Sequence, residues 1–510
     1  MAKIERSAGI LCHISSLPGK YGIGNLGKEA YEFCDFLHKA HIKYWQILPL
    51  AQTGYGDSPY QSVCVNSGNP YFIDPRDLHD RHLLDDNELA SCEMPEGPVD
   101  YGTLYKKRYE ILQTAYSRFN IKDPDFVAFV ESGEFEDYAL FMSLKSMYLG
   151  TWDTFPEAYK RRENLALSEF KENVYRTDYC FWLFTQYIFE QEWEKLKAYA
   201  NSLGIKIIGD IPLYVANDSA DAWANPDLFL MDEELKPTKV AGVPPDYFSA
   251  TGQLWGNVLY DWDAMEKKDF GWWKKRIMKA ASLYDGIRFD HFRGLDRFYA
   301  IPYGDKTAEN GTWMDGPKTK LFEALKEEME GLDVIAEDLG NIDDGVIALK
   351  EQCGYPGMAI LLFAFDGSPD NPYLPENITE NTVIYTGTHD NDTALGFLKN
   401  MTSTQFKGFK KMLRAALKTE GEEYPFVSRE EAVSALCVCA LSSKANLAVL
   451  PIQDVLRQDN SCRMNTPAIM MGNWRYRLTE MPTRVDAAYL RLLVKRFNRD
   501  PKDKPDDIFS

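Results

Sequence analysis

Apolar positions along the chain fall into short, nearly unbroken runs separated by stretches of helical periodicity. Eight runs predict strands: AGILCHISSL (8–17), KYWQILPL (43–50), IKIIGDIPLYV (205–215), YDGIRFDHF (284–292), VIAEDLG (334–340), GMAILLFAFD (357–366), NTVIYTGTHD (381–390) and NLAVLPIQDV (446–455). The 205–215 run is largely β-branched, the mark of a strand covered on both faces. Helical spacing lies between the runs: Phe33, Phe36, Leu37 and Ala40 share one face, as do Phe322, Leu325 and Met329 within 317–330. Helices also fall within 403–445, one of them opening at Ser428 and Glu431 with capping-box spacing. Residues 101–203 read as mainly helical, and their last helix aligns Trp193, Leu196, Ala200 and Leu203 before stopping at Gly204.

Strand and helix therefore alternate, which predicts a parallel sheet with helical crossovers. Eight units favour a (β/α)8 TIM barrel over an open doubly wound sheet, and no G-x-G-x-x-G follows a strand to suggest dinucleotide binding. The expected fold class is α/β, one barrel over residues 1–510. Residues 51–204 are expected to form an insertion, and 242–262, rich in Gly, Pro and aromatics, a loop.

Three of the strands close on acids. Strand side chains alternate, so Arg288 and Asp290 share a face, and the cation favours an ionised carboxylate. Glu337 follows Val334, Ile335 and Ala336, an apolar setting that would raise its pKa. Asp210, Asp366, His389 and Asp390 stand at other strand ends, where a barrel of this type carries its active site. One ionised and one protonated carboxyl are what retaining glycoside chemistry needs. Taken singly, an R-x-D pair is more often a structural ion pair, and THDND is equally an Asx-capped turn. No H-x-H, H-E-x-x-H or EF-hand spacing supports a metal, and none is expected. Tyr55 and Tyr60 frame GYGDSPY, while Tyr247, Phe248 and Trp255 lie in 242–262; as a group these rings favour a carbohydrate groove.

Composition narrows the partners. Net charge of −20 and a pI near 4.9 argue against nucleic acid or an anionic membrane. Nine scattered cysteines without C-x-x-C read as core thiols of a reduced chain. No signal-peptide pattern opens the chain and no apolar run approaches ~20 residues. A cytoplasmic protein is expected, and no segment stands out as an interface between copies.

In sequence order, SSLPGKYGIGNLG (15–27), WQILPL (45–50), TGYGDSPYQ (53–61), GDIPLYVANDSAD (209–221), GVPPDYFSATGQLWGN (242–257), GIRFDHFRG (286–294), IAEDLG (335–340), YTGTHDNDT (385–393) and RMNTP (463–467) resemble the 4-α-glucanotransferases, the amylomaltase or disproportionating-enzyme family. The resemblance runs along nearly the whole chain. It implies a retaining α-amylase-type barrel without a C-terminal β-domain, no metal or organic cofactor, and transfer of α-1,4-glucan segments between maltooligosaccharides or to glucose. It further implies Asp290 as nucleophile, Glu337 as acid/base and Asp390 as transition-state stabiliser. Arg288, His389, Tyr60 and Asp210 would serve the sugar being cleaved. Asp246, Gln253 and Trp255 would lie on the loop over the acceptor side, Asp366 and Asn465 would be further glucan contacts, and Tyr55 part of a remote glucan site. Val258, Ala250 and Ala468 depart from the family pattern; a glycine is usual where Ala468 follows Pro467. An α-1,4-glucan hydrolase of the same fold and a silent glucan-binding protein are the rival readings.

Overall fold

The computed structural model describes residues 4–245, 249–469 and 471–501. Eight parallel strands form the central sheet: β1 (Ser7–Leu11), β2 (Tyr44–Gln46), β3 (Lys206–Ile211), β4 (Gly286–Phe289), β5 (Asp333–Ala336), β6 (Gly357–Ile360), β7 (Thr382–Tyr385) and β8 (Leu447–Pro451). Their order is β6-β7-β8-β1-β2-β3-β4-β5, every pair parallel. The remaining gap is spanned at its rim. Ala336 N–H donates to the Pro356 carbonyl (2.9 Å), and Met358 N–H donates to Asp338 Oδ1 (2.7 Å). The expected barrel is borne out, with shorter strands than the apolar runs suggested.

Register decides what the lumen holds. Asp210 pairs with Arg288, and Arg288 with Ile335, so these residues share the inner face. Ile287 and Phe289, both fully buried, point out to the helices, where Phe289 meets Phe322 edge-on. The lumen is polar enough to need internal partners. Tyr44 and Lys206 both reach Asp333 Oδ2 at 2.8 Å near the strand starts, and Tyr385 OH donates to Gln46 Oε1 (2.9 Å) further up. Buried carboxylates and hydroxyls persist only with such partners.

Between β2 and β3 the chain runs through helices that include Tyr101–Arg118 and Glu136–Tyr148, and it returns along Cys180–Ser202. That last helix buries Trp193, Leu196 and Ala200 and ends at Gly204, whose φ of +77° supplies the left-handed stop. The capping box at Ser428 and Glu431 is present. At the other end of the chain the fully buried Arg499 donates to the carbonyls of Ser7 (2.8 Å), Leu441 (2.6 Å) and Ser443 (2.9 Å), tying the C-terminal segment to β1. Among the described residues no helix is long and apolar enough to cross a membrane, and all nine cysteines are free thiols.

One expectation is corrected. Residues 242–262 are not all loop, because Lys239–Val243 and Gln253–Val258 pair as an antiparallel hairpin. Arg297–Pro302 and Thr312–Asp315 extend it to a four-stranded arm, built from the connections that follow β3 and β4. Val240, Tyr299, Ile301 and Ala308 form its own small core with Trp313. Asp246, Tyr247 and Phe248 lie outside the described residues.

Candidate active site

The cleft is built at the C-terminal ends of β3, β4, β5 and β7. Arg288 organises one side. Its Nε donates to Asp210 Oδ2 (2.9 Å) and its Nη2 to Asp290 Oδ1 (2.7 Å). Tyr60, carried in by the segment after β2, donates its hydroxyl to Asp210 Oδ2 (2.8 Å). The Asp210 side chain is sealed from solvent whereas Asp290 remains 29% exposed, so of the two carboxylates on Arg288 only Asp290 is open to the cleft. Burial, opposed by Arg288 and reinforced by Asp290, pushes the Asp210 carboxyl above the usual range.

Glu337 sits differently. Its Oε2 accepts the His291 N–H (2.7 Å) and its Oε1 the Leu339 N–H (3.0 Å). These donors favour the carboxylate, yet burial, and after it the negative charge of Asp290, raise its pKa well above the ordinary carboxylate range. The apolar run before Glu337 points the same way, but the donors to it are backbone groups that residue type cannot announce. His291 presents its N–H from a left-handed backbone (φ +50°), unusual for a residue with a side chain. It is half-buried, and desolvation lowers its pKa to about 4.

On the facing rim, His389 stacks on Tyr60 with ring centroids 5.2 Å apart and planes 9° from parallel. Burial lowers the His389 pKa. Asp390 Oδ1 accepts from Asn465 Nδ2 (2.7 Å) and lies 3.3 Å from His389 Nε2, and Arg463 Nη2 holds the Asp390 carbonyl (2.8 Å). Trp474 backs both Tyr60 and His389 at 5.7 and 6.0 Å. Over the β4 side, the Trp255 ring meets His291 edge-on at 4.8 Å, and its Nε1 donates to Gln253 Oε1 (3.2 Å).

Asp210, Arg288, Asp290, Glu337, Tyr60, His389, Asp390, Asn465 and, through His291, Trp255 and Gln253 thus come together. Two predicted residues stand apart. The run 357–366 leaves the sheet after Ile360, Leu361–Ala364 form a helical turn, and Asp366 stands exposed with its carboxylate on the Ser368 N–H (2.8 Å). Tyr55 is 94% exposed. Sequence reasoning missed His291, Arg463 and Trp474; the first two lie inside quoted motifs, and Trp474 carries no local signal.

Ala468, where the resemblance leads to the expectation of glycine, has a φ of +65°. The left-handed penalty is about 1–2 kcal/mol, against about 0.4–1 kcal/mol of unfolded-state entropy added by glycine. Ala468→Gly is therefore expected to stabilise by about 0.5–1 kcal/mol, read as a small rise in the thermal unfolding midpoint.

A parallel eight-stranded barrel with a carboxylate-rich cleft at its strand C-termini has the architecture of a (β/α)8 enzyme. The sequence model for 4-alpha-glucanotransferase matches residues 12–483, and the chain belongs to that family, glycoside hydrolase family 77. The 4-alpha-glucanotransferase of Clostridium butyricum is 45% identical over 473 residues, 91% of this chain and 95% of that one. That of Thermus thermophilus is 45% identical over 486 residues, 93% and 95% of the two chains. Among solved structures, the amylomaltase of Streptococcus agalactiae in complex with acarbose superposes with a TM-score of 0.90 at 35% identity, covering 98% of this chain and all of the other. The amylomaltase of Corynebacterium glutamicum, at 18% identity and a TM-score of 0.79, shares the fold. The activity is glucan transfer, and the hydrolase and silent-binder readings are not favoured.

Proposed function

We propose that Asp290, Glu337 and Asp390 carry a retaining double displacement on α-1,4-glucans. Glu337 gives its proton to the glycosidic oxygen of the leaving glucan while an Asp290 carboxylate oxygen bonds to the sugar C1. The C1–O bond breaks as the Asp290 ester forms. Asp390, accepting from Asn465 and close to His389, stabilises the positive charge at C1 and holds hydroxyls. An incoming 4-hydroxyl then attacks C1, its proton passes to Glu337, and the ester opens with net retention. The observation that carries this assignment is the contrast between the two carboxyls. Asp290 is ion-paired to Arg288 (2.7 Å), whereas Glu337 is held by main-chain N–H donors and has a raised pKa.

Tyr60 and His389 would form the platform under the cleaved sugar, with Asp210 beside it. Gln253, Trp255 and Asp246 would cover the acceptor side, so that sugar rather than water reaches the ester. Asp366 and Tyr55, both exposed, suit glucan contacts away from the reacting bond. We take residues 51–204 as an insertion into a single barrel of 1–510, and the acidic, free-thiol chain as cytoplasmic. Donors and acceptors would be maltooligosaccharides, longer α-1,4-glucans and glucose, without a cofactor.

Purified enzyme given maltotriose alone is expected to yield glucose plus a ladder of longer maltodextrins at constant total reducing ends. Shorter products with rising reducing ends would replace transfer by hydrolysis, and no turnover would overturn the catalytic reading.

A further inference from the structure

Gln253 and Trp255 sit on a hairpin whose turn is fastened from outside. Ala308, in the segment 303–311 that joins Arg297–Pro302 to Thr312–Asp315, donates its N–H to the Thr251 carbonyl at 2.9 Å. Its own carbonyl accepts from Tyr299 OH (3.0 Å) and from the Gly311 N–H (3.2 Å). Ala308 is fully buried in the arm core, so this contact is part of a packed layer rather than a surface hydrogen bond. Next to Thr251, Gly252 adopts φ +68°, and a Cβ there would lie 2.4 Å from the Val243 carbonyl oxygen and 2.7 Å from the Ala308 Cβ. The turn and the 303–311 segment are therefore fitted to each other with no room for one more carbon.

The arm is in turn fixed to the catalytic strands. Tyr299 meets Trp313 edge-on at 5.3 Å, and the Arg293 guanidinium lies 4.1 Å over the Trp313 ring. Arg293 follows Asp290 by three residues and donates to Asn341 and Asp343, in the connection after Glu337. A chain of contacts thus runs from the nucleophile strand through Arg293, Trp313, Tyr299 and Ala308 to the turn that carries Gln253 and Trp255.

We propose that the 303–311 segment, acting through Tyr299 and Ala308, is a positioning element that sets how the glucosyl-enzyme divides between an acceptor sugar and water. This rests on reading the Gln253–Trp255 hairpin as the acceptor-side cover. If the turn loosens, Trp255 leaves its place against His291 and water reaches the ester more often, while cleavage of the donor is little changed because Asp290 and Glu337 are held by other bonds.

The test is the ratio of hydrolysis to transfer on maltotriose, read from new reducing ends against glucose released. A ratio does not depend on how much enzyme is folded, so simple destabilisation leaves it unmoved. Tyr299→Phe removes the hydroxyl on Ala308 but keeps the ring on Trp313. It is expected to raise the ratio about fivefold, the effect of one lost hydrogen bond, with total turnover within about twofold. Gly252→Ala, which wedges the turn from the other side, is expected to raise it at least as much. Trp255→Ala serves to separate the two ideas. A raised ratio in Trp255→Ala with both other variants partitioning like the parent overturns the latch and leaves the cover standing. An unchanged ratio in Trp255→Ala removes the cover, and the latch with it.

Discussion

Asp290→Asn is expected to lower kcat on maltotriose by about 10^4-fold or more while donor binding persists. The amide cannot form the ester at C1, and the other carboxylates among the described cleft residues, Asp390 on Asn465 included, are held by partners of their own. Asp210 is sealed behind Tyr60 and Arg288, and Glu337 is held by the His291 and Leu339 N–H groups. The cleft should survive the change, because Arg288 keeps Asp210 at 2.9 Å and the Tyr60–His389 stack does not involve Asp290. Kinetics and titration calorimetry with maltotriose together check the prediction. Binding near the parental level with turnover gone supports Asp290 as nucleophile, whereas turnover within tenfold of the parent would remove it from that role.

The barrel was legible because its strands are buried on both faces, and burial writes continuous apolar runs into the chain. The sharing of a side by Arg288 and Asp290 follows from alternation, and although Asp290 lies just past the strand end, the 2.7 Å hydrogen bond from Arg288 Nη2 places it there. The arm was not legible. Its strands KVAGV and QLWGNV are interrupted by glycine, and QLWGNV is partly exposed, so neither alternation nor a continuous run survives, and the flanking Gly and Pro read as loop. The run GMAILLFAFD misled in the opposite sense, since a short apolar stretch does not distinguish a strand from a buried helical turn. The chain turns at Leu361, which carries Asp366 out to solvent. Within the site, charged residues announced themselves and their supports did not. The donors to Glu337 are main-chain groups, and Trp474 reaches Tyr60 from more than 400 positions away in sequence. The resemblance flagged Ala468 as a departure, and only the backbone angle explains it.

Glu337→Gln should separate acid catalysis from the rest of the mechanism. With maltotriose, whose leaving oxygen needs a proton, activity is expected to fall about 10^3-fold or more. With an α-glucosyl fluoride donor, whose fluoride leaves without one, formation of the ester should be largely retained. The pH profile carries the same signature. Burial and the charge of Asp290 raise the Glu337 pKa, so the parent stays protonated, and active, above the ordinary carboxylate range. As pH climbs through the raised value the proton is lost and kcat/KM falls. That alkaline limb should vanish in the glutamine variant, and its persistence there would assign the limb, and the acid role, to another group. Stability should move the other way. Unfolding returns Glu337 to its ordinary pKa of about 4.3, so above that pH the unfolded chain gives up a proton the folded one keeps, and the native state is disfavoured increasingly until the raised value is passed. Glu337→Gln removes this penalty. Its gain in thermal midpoint over the parent is expected to grow with pH above about 4.3; a gain independent of pH would mean that Glu337 is not buried in the protonated form that catalysis needs.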